Sequence, residues 1–429
     1  MTLYLKNVNW LDLDATTLAS GHLAVEEGPR GSLVFLPDFP VMAELEPDDR
    51  VLDCHGQLVT RAFACGHHHI YSALARGMPP APSIPRNFTE ILKFIWWRLD
   101  KCLDLEMIEA SALATALACA KHGVTYVIDH HSSPLAVKGS LTIIARAFER
   151  IGLGHLLCYE ISCRDGAGPM EAGLVETDTY LQSGRKGHIG LHASFTVDND
   201  LLRRAVQFAR RHRTGIHIHV AEDLADQKHC LATYGTRVVH RLAEAGVLDL
   251  QHTILSHCIH CDMSERELIR NSPAWVVQNT ESNQNNGVGL TGYAEFGPRV
   301  MFGTDGMHSD MLRSARASYL AGQTLESLSP ASVYARFRAV HSYIAALDTS
   351  GDGPNNLVVL DYDTPTDLTP DNFFSHFVYG LEAGHVQTVI AQGRVIVEEG
   401  RLATEDEEDI LLYAKEQARR LWAKLRETN

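Results

Sequence analysis

The sequence predicts an α/β fold: a (β/α)8 barrel carrying a small β-sandwich domain formed from both chain ends. Three observations point there. The middle of the chain alternates short apolar runs with helical periodicities and yields about eight strands. Both ends carry short β-like runs instead. Histidines and acids recur where the middle strands stop, which is where such barrels place their chemistry. The expected division is 1–57 with 355–404 for the small domain, 58–354 for the barrel and 405–429 for a C-terminal helix.

Length and composition suit this arrangement. At 429 residues the chain exceeds one ordinary domain but fits a barrel with an appendage. It is 45% hydrophobic and 21% charged, a globular balance. A formal net charge of −15 argues against nucleic acid or an anionic membrane as partners. The cysteines are scattered at 54, 65, 102, 119, 158, 163, 230, 258 and 261. Cys258 and Cys261 stand close together, but a second pair is missing, so the thiols read as reduced, in a cytoplasmic protein. No apolar run is long enough for a transmembrane helix, and the first ten residues lack a basic segment followed by an apolar one.

Taken in order, residues 1–57 hold β-like runs at 3–8, 22–26, 32–36 and 50–54, interrupted by turn residues such as Gly28-Pro29-Arg30-Gly31. The apolar run that follows ends in His67, His68 and His69. In a strand, His67 and His69 share one face and His68 points to the other. Two imidazoles on one face can share a metal ion. Three adjacent histidines alone could be a surface accident, but the later strand ends repeat the pattern. After a Pro-rich loop at 78–85, helical periodicity covers 103–121, 141–151, 199–213, 236–245 and 264–270. Strands are expected at 125–129, 154–161, 189–193, 215–221, 253–256, 275–277 and 300–303. The fifth barrel strand offers His217, His219 and, just beyond it, Glu222; the sixth leads to His257 and the eighth to Asp305. His217 and His219 lie on the same strand face, so either could be a ligand.

Tyr71, Trp97 and Arg98 fall in the long loop after the first barrel strand, where rings plus a guanidinium suit a flat heterocycle or a carboxylate. His130 and His131 follow Asp129 at the second strand end, and His131 is taken as a further substrate contact. The β pattern returns at 356–361, 386–391 and 395–398, with Gln392-Gly393 as a hairpin turn. The last segment opens acidic and closes basic, as a helix dipole favours.

The phrases HHHIYSALARGM, GLHASFTVD, HIHVAED, LSHCIH and MFGTDGM, in that order, resemble the amidohydrolase superfamily, and within it the ATZ/TRZ-like aminohydrolases and chlorohydrolases. SALARGM, IDHHSSP and NFTEILKFIWWRLDK bring the chain closest to the SsnA-type aminohydrolases. The likeness continues through LVVLDYDTPTDLT and VIAQGRVIVEEGR in the returning β domain. It implies a metal-dependent hydrolase of C–N bonds other than peptide bonds, deaminating a nitrogen heterocycle. Opening of a cyclic amide, its reverse condensation, and a catalytically silent scaffold are the alternatives.

The resemblance also implies one divalent ion, zinc before iron, on His67, His69, His219 and Asp305. His192 stands on the strand where binuclear relatives carry a carbamylated lysine, which favours a single ion; it also resembles a substrate-contacting histidine of these deaminases. Such an ion lowers the pKa of a bound water towards about 7. Asp305 would take the water's proton, His257 would orient the water or polarise the attacked carbon, and Glu222 would shuttle protons to the ring and the leaving amine. The His-x-x-Glu spacing favours His219 over His217 as the ligand. Arg61-Ala62 stands where the family usually has Pro-Gly, and His68 where it usually has Thr. The expected partners are a small heterocyclic substrate and a second copy of the chain in a homodimer.

Overall fold

The computed structural model describes residues 1–41, 45–347 and 349–427. The chain opens with β1 (Thr2–Leu11), β2 (Leu18–Glu26), β3 (Leu33–Leu36), β4 (Arg50–Asp53) and β5 (Leu58–Arg61). In β1 the buried residues are Leu3 and Leu5, then Val8 and Leu11. The change of phase is made by a bulge between Leu5 and Val8, where Asn7 takes a φ of 55°.

Eight strands then form the barrel: β6 (Phe63–His68), β7 (Val124–His131), β8 (Gly154–Ile161), β9 (Ile189–Ala193), β10 (Ile216–Val220), β11 (Ile254–His257), β12 (Trp275–Gln278) and β13 (Val300–Phe302). Each is parallel to the next. Parallel strands covered on both faces need continuous apolar runs, and β7 and β10 are buried at every position. The turns leaving the strand ends run into acidic caps. Asp198 caps the helix Asn199–His212, Asp223 caps Leu224–Tyr234 and Asp262 caps Met263–Arg270, each side chain accepting from a backbone N–H.

The chain returns to the first sheet as β14 (Leu357–Leu360), β15 (Val386–Ala391), β16 (Arg394–Glu398) and β17 (Arg401–Leu402). The expected sandwich takes the form of one nine-stranded sheet around its own core of Leu5, Val25, Val59, Val359 and Ile390. Gln392 and Gly393 make the anticipated hairpin turn, with φ of 52° and 79°. β5 pairs with both β1 and β14 and so stitches the two chain ends together. The expected boundary at 57/58 therefore falls one strand early: Leu58-Val59-Thr60 serves the small sheet, and the chain passes into the barrel at Ala62.

Helices at Ala167–Gln182, Met311–Leu325 and Pro330–Ala346 go beyond those expected. The last buries Tyr334, Phe337, Arg338, Val340 and Tyr343 on several sides at once, which blurs the one-faced pattern that marks a surface helix. The terminal helix Glu407–Glu427 lies along Leu105–Lys121 and grips the segment after β6. Trp422 Nε1 donates to the Leu74 carbonyl at 2.9 Å and Lys424 Nζ to the Asp104 carboxylate at 2.9 Å. No helix among the described residues is long and apolar enough to cross a membrane.

Closure of the barrel brings the ends of β6 and β13 together. The backbone N–H groups of Thr304 and Asp305 both donate to the His67 carbonyl at 3.0 Å. This approach needs a residue without a side chain: a Cβ on Gly303 would lie 2.8 Å from the His67 oxygen and 2.4 Å from Asn279 Oδ1. Gly303→Ala should therefore destabilise the fold by about 1–3 kcal/mol, the usual cost of overpacking. Thermal melting checks this against Gly168→Ala, where nothing lies within 4 Å and little change is expected.

Candidate active site and metal centre

Side chains from both barrel halves converge at the C-terminal strand ends. β6 supplies His67 and His69, β10 leads to His219 and Glu222, β11 ends at His257, and Asp305 follows β13. Hydrogen bonds fix the ring tautomers. His69 Nδ1 donates to the His130 carbonyl at 2.6 Å, and His219 Nδ1 donates to the His192 carbonyl at 2.8 Å. His257 Nδ1 donates to Asn283 Oδ1 at 2.7 Å. His219 and His257 therefore present a bare Nε2, and His69 turns its Nε2 towards Asp305 Oδ1. His67 Nδ1 stands 2.9 Å from His217 Nε2, and His67 Nε2 is buried without a hydrogen-bond partner, as is His257 Nε2.

The lone pairs face one point. His69 Nε2 and His219 Nε2 lie 3.1 Å apart, and Asp305 Oδ1 lies 3.1 Å from His69 Nε2 and 3.8 Å from His67 Nε2. Acceptor atoms packed this closely in a dry site need positive charge among them, either a proton on His69 Nε2 or a metal ion in its place. The titration directions agree. Burial and the neighbouring imidazoles hold His67 and His219 well below the ordinary histidine range, so they stay neutral. At His69 burial works the same way, but the Asp305 hydrogen bond and charge win and raise it to about 9. Burial would raise Asp305, yet its hydrogen bond to His69 and the facing imidazoles push it well below the usual carboxylate range. The site draws positive charge, and the imidazole and carboxylate donors fit a divalent transition metal.

His219 and His217 separate cleanly in space. His219 Nε2 belongs to the converging set, whereas His217 backs His67 and so sets that ring's orientation. His68 points to the opposite face, towards Ser309 Oγ at 3.1 Å. Glu222 stands beside the donor set, its carboxylate 3.6 Å from His257 Nε2 and 3.3 Å from Asn286 Nδ2. Burial raises its pKa, the Asp305 charge adds to this, and His257 opposes both. Local backbone geometry puts these groups here. Ala221, His257 and Asp305 adopt φ of 44°, 73° and 53°, left-handed conformations that non-glycine residues hold only under constraint.

A cleft of about 780 Å³ opens above the donors. Tyr71, Trp97 and His192 line it as expected, with Trp96, Phe195 and Met307. Arg98 and His131 do not line it. Arg98 turns away to donate to the Leu425 carbonyl of the terminal helix, and the Pro-rich loop and helix after β6 carry it to that side. His131 alternates to the far face of β7, where it bonds Ser133 Oγ at 2.9 Å. Sequence reasoning missed Glu160, which lines the cleft from the end of β8. The same strand-end criterion that selects the histidines would have found it. It also missed Ser282, which donates to Asp305 Oδ2 at 2.6 Å, as more than a structural residue.

The sequence pattern of the amidohydrolase family matches residues 58–343. The chain is 27% identical over 430 residues to a 5-methylthioadenosine/S-adenosylhomocysteine deaminase of Pelotomaculum thermopropionicum, covering 95% of this chain and 94% of that one. It is 25% identical over 399 residues to a 5'-deoxyadenosine deaminase of Methanococcus maripaludis, covering 87% and 91%. Two solved structures share the fold. An adenosine deaminase from Xanthomonas campestris with bound zinc superposes with a TM-score of 0.83 at 15% identity, over 98% of both chains. The atrazine chlorohydrolase TrzN from Arthrobacter aurescens, complexed with zinc, gives 0.81 at 15% identity, over 97% and 100%.

Elemental analysis of variants tests the donor set. His69→Ala or Asp305→Ala should lose most bound metal, while His68→Ala keeps it. His217→Ala should weaken affinity about 10- to 100-fold, as expected for loss of a group that orients a ligand. Full metal in both His69→Ala and Asp305→Ala would overturn the assignment.

Proposed function

The chain belongs to the amidohydrolase family, and from that premise we propose that it deaminates an aminated nitrogen heterocycle by hydrolysis, using one zinc ion. The observation that carries this is the pairing of a converging His/Asp donor set with Glu222, a carboxylate of raised pKa that stands beside the set without closing it. In this reading His67, His69 and His219, each through Nε2, and Asp305 hold the ion. The ion, when bound, makes water acidic enough to attack at neutral pH.

The remaining steps fall to the chain's own groups. His257 Nε2, bare because Nδ1 is held by Asn283, accepts a hydrogen from the attacking water and orients it. Asp305 receives the proton that water gives up. Glu222, which holds a proton more readily than an ordinary glutamate, donates it to a ring nitrogen, is recharged by the proton that Asp305 took from water and gives that one to the departing amine. The hydroxyl left on the carbon returns a proton to Glu222 as the C=O bond forms. Trp96, Trp97 and Phe195 offer faces against which a flat ring can stack. The deaminase names of the relatives support an adenine-like ring as a starting point. The proposal keeps the homodimer and the cytoplasmic location as expected, with the β-domain, barrel and terminal helix as its units.

The substrate class is tested by screening zinc-loaded protein for ammonia release from aminated purines, pyrimidines and triazines, with hydantoins as ring-opening probes. Ammonia from at least one aminated ring is expected. Hydantoin opening alone would favour the cyclic-amide reading, and no turnover by a protein that takes up no metal would favour the scaffold. Glu222→Gln should keep its metal and lose a factor of about 10² to 10⁴ in kcat on an amine substrate. A chloro analogue should lose less, because chloride departs without a proton. Loss of metal by Glu222→Gln would make Glu222 a ligand instead.

A further inference from the structure

Glu160 is used by none of the steps above, yet it is a buried carboxylate facing the reaction cleft. It is 6% exposed and lines the cleft from the end of β8. Its nearest basic groups, His130 Nδ1 at 3.4 Å and Arg164 Nη2 at 3.6 Å, make only long contacts with it. Arg164 is committed elsewhere: it bonds the Asp100 carboxylate and reaches Ser132 Oγ at 3.0 Å. A buried carboxylate that accepts no good hydrogen bond is costly unless a ligand supplies one. Burial would raise its pKa, but the contact with His130 and the Arg164 charge outweigh burial and hold it well below the usual range.

The neighbouring wall has the same polarity. Thr196 Oγ1 donates to the Ala193 carbonyl at 3.1 Å, so His192 Nδ1 must donate to Thr196, at 2.7 Å. That leaves His192 Nε2 as an acceptor on the cleft wall. Asp100 lines the same end, and its Oδ1 is buried without a partner. Arg164, which could offer N–H donors, lies behind these groups and lines a separate, smaller pocket. The Tyr71 hydroxyl can serve either way. A Glu160 oxygen and a His219 ring nitrogen lie within 4.8 Å of one another, so a ring seated over His219 and Glu222 reaches this wall.

We propose that Glu160, with His192 beside it, is a specificity-determining acceptor that selects substrates carrying a pair of hydrogen-bond donors on the side away from the leaving amine. The pair is either N–H groups on the ring or the hydroxyls of an attached sugar. This rests on the deaminase reading only in placing the reacting carbon beside Glu222. A ring edge presenting bare nitrogens would meet lone pair with lone pair and be rejected.

The test reads binding, not turnover. Metal-loaded Glu222→Gln protein, chosen to slow reaction, is titrated through its tryptophan fluorescence with two pairs that keep the leaving amine and differ in donors away from it: 8-oxoguanine, with N–H at both imidazole nitrogens, against guanine, and adenosine against 2'-deoxyadenosine. The donor-rich member of one pair should bind about 10- to 100-fold more tightly, the range for a hydrogen bond to a charged group. Adding Glu160→Gln should cut that preference to below about threefold while metal content stays unchanged. Loss of preference in the guanine pair assigns the donors to the ring, and in the adenosine pair to the sugar. No preference in either pair, or a preference that Glu160→Gln leaves intact, overturns the proposal. If Glu160→Gln does not fold, Glu160→Asp withdraws the carboxylate without removing its charge; an unaltered preference there overturns it equally. Failure of the ammonia screen with coupling still seen here would sink the deaminase reading alone.

Discussion

The structure depends on one electrostatic constraint: three imidazole nitrogens and a carboxylate held within a few ångströms of each other, out of water. His69 and His219 bring their Nε2 atoms to 3.1 Å, a separation that needs positive charge between them. The barrel seam enforces it. The His67 carbonyl receives the Thr304 and Asp305 amides, so the backbone contact that closes the barrel also sets two of the candidate donors side by side. Left-handed φ values at Ala221, His257 and Asp305, each worth about 1–3 kcal/mol of strain, sit at this rim because the surrounding sheet fixes them. Cation binding would offset part of that strain and of the lone-pair repulsion.

The carboxylates show how one residue type takes several roles. Asp305 is pushed down by its hydrogen bond to His69 and the other imidazoles it faces, and Glu160 by its contact with His130 and the Arg164 charge. Glu222, mostly buried with a second carboxylate nearby, is pushed up. Environments that pull carboxylate pKa values apart suit them to the different roles proposed for them. The cleft wall in turn is held from outside: the terminal helix ties down the segment after β6 through Leu74, Cys102 and Asp104, so Trp96 and Trp97 rest on a fixed support.

Much of this was legible in the sequence because strand ends are legible. Apolar runs that stop at His67, His219, His257 and Asp305 mark both the barrel and its chemistry, and Gln392-Gly393 marks its turn. What periodicity does not encode is which sheet a short run joins, so Leu58–Arg61 was assigned to the barrel although it pairs with β1 and β14. Nor does it encode where a loop points: Arg98 follows Trp97 by one residue, yet one meets the terminal helix and the other lines the cleft. His217 and His219 share a strand face, and only their contacts tell them apart: His219 Nε2 joins the converging donors, whereas His217 Nε2 accepts from His67 Nδ1. Glu160 was passed over because attention followed histidine, though an acid at a barrel strand end carries the same signal.

The central claim is that one divalent ion sits among His67, His69, His219 and Asp305. Crystals of protein expressed with zinc, measured on both sides of the zinc absorption edge, test it most directly. The account predicts one anomalous peak per chain, bounded by the Nε2 atoms of the three histidines and the Asp305 carboxylate. A zinc-replete protein with no peak there, with two peaks, or with its peak at His130 and Glu160 would contradict it.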